Sequence, residues 1–199
     1  MFQAENILNI TKNNMEIVET AIEGCFLIKN ALFRDDRGYF FESFNHEKFS
    51  RLTGWSGPFV QDNQSESTYG VVRGLHFQEG EYAQAKLVRV LTGSIIDVVV
   101  DLRPESPSFE QVLSVPLDDK NEYQLFMPRG CAHGFSVLSP VAVFFYKCDN
   151  YYQKQAEAGI HPLDEELNID WKIEKRDILL SEKDNKAESW LAYKHKIGM

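Results

Sequence analysis

Apolar positions in this chain come in short runs, not in long helical stripes. Runs rich in Val, Ile, Phe and Tyr stand at Cys25–Asn30, Tyr39–Phe44, Ala85–Leu91, Ser94–Leu102, Gln124–Met127 and Val141–Lys147, with Gly or Pro between many of them. That punctuation predicts strands joined by turns. KLVRVL and SIIDVVVDL flank Thr92-Gly93-Ser94, the pattern of a hairpin. Short strands without interleaved helices point to an antiparallel sandwich or barrel. Helical pieces decorate it: Asn45 is placed to cap a short helix from about His46 to Leu52, closed by Gly54. A turn is expected over Asp164–Leu167, and a polar surface helix from Glu182 to about Lys196. Residues 1–14, MFQAENILNITKNN, are polar-rich and precede a second methionine, Met15. They read as a poorly ordered extension ahead of a single domain over 15–199 with a helical C-terminal segment.

Composition narrows the partners. The 199 residues carry 21 Lys plus Arg against 30 Asp plus Glu, a net charge of −9, so the basic footprint of a nucleic-acid binder is missing. No apolar run approaches the ~20 residues of a membrane helix. Residues 1–14 lack the apolar core of a secretory signal, which makes the cytoplasm the expected location. Cys25, Cys131 and Cys148 are widely spaced and form no CxxC pair, the pattern of buried reduced thiols.

The candidate chemistry sits in the strands. His46 and His195 lie in solvated surroundings, whereas His76 and His133 sit in compact strand-and-turn settings, VVRGLHFQ and MPRGCAHGF. Residues three apart on an unbroken strand face opposite ways, so Arg73 and His76 share a pocket only if Gly74 hosts a bulge. Lys86 shares a strand face with Val88 and Val90, and Leu87 shares the other with Arg89 and Leu91. One face therefore turns a cation inward, which is costly without an anionic or carbonyl partner. Tyr146 shares a face with Phe144, and a plain core aromatic is an open reading of it. Pro128 to His133 has the P-x-G-x-x-H form of the second cupin motif, but the expected H-x-H of the first motif reads His76-Phe77-Gln78. Two histidines and a carboxylate can hold iron, so a metal-dependent cupin oxygenase is one alternative.

RDDRGYFFESFN at 34–45, FVQDNQSES at 59–67, RGLHFQ at 73–78, QAKLVRVLTGSIIDVVVDLRPESPSF at 84–109, PRGCAHGFSVLS at 128–139, YKCDNYY at 146–152 and LSEKD at 180–184 occur in order. Together they resemble the dTDP-4-dehydrorhamnose 3,5-epimerase family from about Met15 to Asp184. The resemblance implies an all-β, cupin-like jelly roll (a double-stranded β-helix) that forms a homodimer and needs neither metal nor organic cofactor. It implies 3,5-epimerisation of dTDP-4-dehydro-6-deoxy-D-glucose to dTDP-4-dehydro-L-rhamnose, in dTDP-L-rhamnose biosynthesis. A mono-epimerase on a related 4-keto-6-deoxy sugar, or a non-catalytic sugar-nucleotide binder, are the other readings it leaves.

By the same resemblance His76 is the base, Asp184 its carboxylate partner, Lys86 the cation and Tyr146 the acid. Arg37, Glu42, Gln61, Asp62, Asn63, Arg73, His133, Glu157 and Lys183 fall at substrate-binding positions, with Arg37, Arg73, Lys86 and Lys183 expected to converge on one pocket. These residue types suit the reaction. A C4 ketone acidifies the hydrogens at C3 and C5, and the enolate that forms needs a base on one face, an acid on the other and a cation at its oxygen. Arginine forks suit a diphosphate better than lysines do. The chain departs from the family at Gly130-Cys131 and at Ile160-His161-Pro162-Leu163, the second expected to bear on sugar preference.

Overall fold

The computed structural model describes residues 15–199; the extension expected at 1–14 lies outside the described residues. The strands are β1 Glu16–Glu19, β2 Phe26–Lys29, β3 Phe33–Asp35, β4 Gly38–Phe40, β5 Gln61–Thr68, β6 Val72–Gln78, β7 Lys86–Thr92, β8 Ser94–Asp101, β9 Val112–Asp118, β10 Gln124–Met127, β11 Cys131–Val137, β12 Val141–Cys148 and β13 Glu157–Gly159. One sheet runs β1-β2-β10-β7-β12-β5 and the other β13-β6-β11-β8-β9, while β3 and β4 form a separate hairpin. Neighbouring strands pair antiparallel throughout both sheets. This is the jelly-roll sandwich that the strand pattern and the resemblance imply.

Alternation along the strands sorts side chains into three apolar layers. Val88, Val90, Ile95, Val99, Phe135 and Phe144 meet between the sheets. Leu87 and Phe126 face outward from the first sheet, beneath Phe49 of helix α1 (His46–Thr53). Ile96, Val98 and Val100 face outward from the second sheet and are covered by Trp171, Trp190 and Tyr193. A strand buried on both faces has no solvent side to keep polar, hence the nearly unbroken apolar run of β8. Helix α1 starts where its cap places it, the Asn45 side chain accepting from Lys48 N–H at 3.1 Å, and ends at Gly54 with φ of 73°.

The sequence pattern misleads in two places. The run Tyr39–Phe44 is strand only as far as Phe40. The single surface helix expected from Glu182 to Lys196 is two short helices, α2 (Glu182–Asn185) and α3 (Trp190–Lys196). Between them the Glu188 carbonyl accepts from His161 N–H at 2.8 Å, and Ser189 caps α3 through Ala192 N–H. Nor is the segment a surface decoration, since Asp184, Trp190 and Tyr193 are buried. Among the described residues no helix is long and apolar enough to cross a membrane.

One irregularity sets the position of the site. His133 pairs with His76 but Phe135 pairs with Arg73, so Gly74 and Leu75 together oppose Gly134 alone. The extra residue reverses the facing of β6. Val72, Leu75 and Phe77 then point to the outer layer while Arg73 and His76 both point between the sheets. The backbones come close enough here that a Cβ on Gly74 would lie 2.6 Å from Gly134 Cα, and Gly74 has a φ of 136°. Glycine at both positions is what the approach requires.

Candidate active site

A cavity of about 300 Å³ opens between the sheets. The five-stranded sheet supplies Arg73, His76, His133 and Phe135; the six-stranded sheet faces them with Asn63, Lys86, Phe144 and Tyr146. Tyr152 and Glu157 stand at its edge.

His76 Nε2 lies 2.6 Å from Asp184 Oδ1, across 108 residues of sequence. The Asp184 side chain is 5% exposed and its backbone N–H donates to the capping Ser181 hydroxyl at 3.0 Å. Burial opposes its ionisation, but the His76 bond and charge, the Ser181 bond and Gly74 N–H outweigh it and hold the carboxyl below its usual range. An ionised Asp184 fixes the proton on His76 Nε2 and leaves Nδ1 as the lone-pair nitrogen.

Lys86 reaches inward from the start of β7, with Nζ 5.8 Å from the Tyr146 ring centre. Desolvation lowers its pKa, and no carboxylate of the described residues lies within ion-pair distance. Neighbouring Cys148 is pushed up to about 11, chiefly by burial, and so is a neutral thiol at pH 7. Tyr146 is also pushed up, first by desolvation, and keeps its proton. A lysine amine without a carboxylate partner and a protonated phenol therefore face the His76 imidazole across the cavity.

A second histidine–carboxylate pair sits deeper. His133 Nε2 is 2.9 Å from Asp97 Oδ2, and Asp97 Oδ1 is buried without a partner. Desolvation dominates both, lowering His133 and raising Asp97, which favours a neutral imidazole. Asp97 was not singled out from the sequence, although a signal was present: it is the one charge inside the apolar SIIDVVV run, in phase with inward-facing Ile95 and Val99.

Other expected residues divide. Arg73 faces the cavity, held by Nε donation to the Ser67 hydroxyl at 3.0 Å. Asn63 lines it, and Gln61 supports it from behind by donating to Asn63 Oδ1 at 3.0 Å and accepting Tyr152 N–H at 3.1 Å. Asp62 alternates to the opposite face and pairs with Lys147 at 2.9 Å. Glu157 pairs with Lys183 at 2.5 Å, and Lys183 lines an adjoining depression that shares Arg73 and His76. Arg37 and Glu42 do not join the cavity. Arg37 is 90% exposed beside Asp35, and Glu42 pairs with Lys48 at 2.8 Å. Convergence of all the cations thus fails within one chain, because the β3–β4 hairpin that carries Arg37 packs elsewhere.

A family model described as dTDP-4-dehydrorhamnose 3,5-epimerase matches residues 19–191. The chain belongs to that epimerase family. It is 47% identical over 172 residues to the dTDP-4-dehydrorhamnose 3,5-epimerase of Escherichia coli K12, covering 86% of this chain and 92% of the relative. The crystal structure of the Elizabethkingia anophelis NUHP1 epimerase superposes with a TM-score of 0.87 at 50% identity, covering 89% of this chain and 97% of that one. A Legionella pneumophila dTDP-6-deoxy-D-glucose-3,5-epimerase in complex with dTDP-4-keto-L-rhamnose superposes at 0.85 with 44% identity, covering 88% and 93%.

Within this epimerase fold the two departures lie away from the cavity. Cys131 is buried in the core between the sheets. Ile160 is fully buried in the outer layer, exchanging backbone hydrogen bonds with Leu75 at 3.0 Å in both directions, and His161 Nδ1 accepts from Leu163 N–H at 3.1 Å. That segment was expected to bear on sugar preference from a loop near the substrate end; it braces the back of the strand that carries His76. For the metal alternative, no cluster of three His, Cys, Asp or Glu side chains among the described residues is arranged to hold an ion. His76 and His133 each direct Nε2 to a carboxylate instead.

Proposed function

We propose that this chain epimerises C3 and C5 of dTDP-4-dehydro-6-deoxy-D-glucose through an enolate, giving dTDP-4-dehydro-L-rhamnose. The observation that carries the reading is the placement of His76, with Asp184 behind it, on one wall and of Lys86 and Tyr146 on the opposing wall of one cavity. His76 Nδ1 takes the proton from a carbon next to the C4 ketone, and the electron pair of the C–H bond moves into the C3–C4 or C4–C5 bond and onto O4. Lys86 meets the charge at O4, a contribution of several kcal/mol order when the donor is in place beforehand. Tyr146 gives its proton to the opposite face of the carbon, and configuration inverts. Water then removes the proton from the imidazolium and restores the phenol before the second carbon reacts.

Arg73, with Lys183 at the edge positioned by its pair with Glu157, is the chain's own support for the nucleotide diphosphate. Arg37 and Glu42 contribute from a second copy in a homodimer. The hairpin that carries Arg37 and precedes Glu42 exposes Phe40 to 69% and half-exposes Phe33 and Tyr39, apolar area that a two-fold interface covers. Three buried free thiols suit the reducing cytoplasm as the place of action.

The test is incubation with dTDP-4-keto-6-deoxyglucose in deuterated water, following C3 and C5 by NMR. Exchange at both carbons is expected. Exchange at one would make the protein a mono-epimerase, and none at either would refute enolate chemistry.

A further inference from the structure

Lys86 has no hydrogen-bonding partner to hold its head among the described residues, so its Nζ is aimed by the packing around it, the Tyr146 ring included, and by the backbone from which it springs. That backbone is gripped by a buried carboxylate. Asp149 Oδ1 accepts Ala85 N–H at 2.6 Å, and Asp149 N–H donates back to Ala85 O at 3.2 Å. Its other oxygen, Oδ2, accepts from Arg129 Nε at 2.7 Å. The Asp149 side chain is 1% exposed, whereas Arg129 is 46% exposed. Cys148, next to Asp149, stands opposite Lys86 in the β12–β7 register, and Met127, two residues before Arg129, stands opposite it in the β10–β7 register.

We infer that the Arg129–Asp149 pair is a positioning device for Lys86, clamping the residue before it and tying together the strand ends that carry Lys86, His133 and Tyr146. The inference rests on the reading of Lys86 as the cation at the enolate oxygen. A buried carboxylate with one oxygen on a backbone N–H and the other on a guanidinium has little freedom, because losing the first bond leaves a buried donor unsatisfied and losing the second leaves a buried charge unpaired. Lysine has a flexible four-carbon stem, so a tilt at Ala85 is passed to Nζ. A misplacement of about 1 Å at a reacting group costs up to about 10²-fold in rate.

The experiment compares Asp149→Ala, Asp149→Asn, Arg129→Gln and Lys86→Met with the unaltered protein. It reads kcat, KM and the infrared stretch of bound dTDP-4-keto-6-deoxyglucose labelled with ¹³C at C4. Lys86→Met should abolish the low-frequency shift of the bound carbonyl and nearly all turnover. Asp149→Ala should weaken that shift and lower kcat by about ten- to a hundredfold with KM within about twofold. Asp149→Asn, which keeps an acceptor for Ala85 N–H, and Arg129→Gln should fall between Asp149→Ala and the unaltered protein. A folded Asp149→Ala with unchanged kcat and carbonyl stretch overturns the inference. If Asp149→Ala does not fold, unchanged values in both Asp149→Asn and Arg129→Gln overturn it. A carbonyl stretch in Lys86→Met that stays as low as in the unaltered protein would instead overturn the reading of Lys86.

Discussion

His76 and His133 stand directly opposite one another on β6 and β11, and each presents Nε2 to a carboxylate, Asp184 or Asp97. The two dyads differ in access: the His76 side chain is 34% exposed and the His133 side chain 8%. Only the first has the contact with water that the proposed base needs to shed its proton between two inversions. The second, desolvated pair suits a fixed polar contact to the sugar.

Asp184→Asn should keep the fold and lose the charge that fixes the His76 tautomer. The turnover number is expected to fall by about 10²–10⁴-fold with little change in KM. Steady-state kinetics alongside a thermal melt check this, and a fall in Tm that tracks the loss of rate would contradict it.

Removing the Tyr146 hydroxyl leaves the base intact. Tyr146→Phe should therefore still exchange substrate hydrogen with deuterated water while completed inversion drops by about 10²-fold or more. Equal loss of both in the NMR assay would mean that Tyr146 serves proton abstraction as well.

Arg37 and His76 are proposed to meet only across a dimer interface. Arg37→Ala and His76→Ala proteins, each nearly inactive alone, should regain about a quarter of full activity after subunit exchange, since random pairing restores one of two sites in half the dimers. Recovery of none would place Arg37 outside the partner's site.

Asp101 gives a stability prediction that is independent of catalysis. Burial acts against its charge, but Arg103 at 2.7 Å, Ser106 at 2.6 Å and Ser108 at 2.7 Å win, bringing its pKa from 3.8 to about 2. A carboxyl depressed in the folded state stabilises above its unfolded value and loses that contribution as pH falls from about 4 towards 2. Asp101→Asn should cost about 1–2 kcal/mol at pH 7, allowing for solvent screening around Arg103. Its Tm should approach that of the unaltered protein near pH 2, and a constant gap across that range would rule the account out.

The elements legible in the sequence were those whose burial leaves an apolar signature. The β7–β8 hairpin falls where its Val and Ile runs place it, whereas β5, QDNQSEST, has no hydrophobic residue and gave no strand signal. As an edge strand along a polar cavity it needs none. Strand parity showed that Arg73 and His76 require a break, and Gly74 supplies it; how far β6 slips depends on the approach of Gly134, which lies far along the chain. No spacing rule connects Asp184 to His76, and only the family resemblance brought them together. Arg37 and Glu42 mark the opposite limit, where a motif gives residue types without saying from which copy of the chain they act.

The placement of Asp184 also bears on how the molecule matures. Asp184 follows every strand of both sheets in chain order and reaches His76 only when α2 docks against β6. A chain whose sandwich has closed but whose tail has not yet settled holds His76, Lys86 and Tyr146 around an open cavity, with the histidine neither oriented nor electrostatically supported. The proposed proton abstraction therefore needs the tail docked as well as the two sheets packed. Activity thus reports on completion of the whole fold.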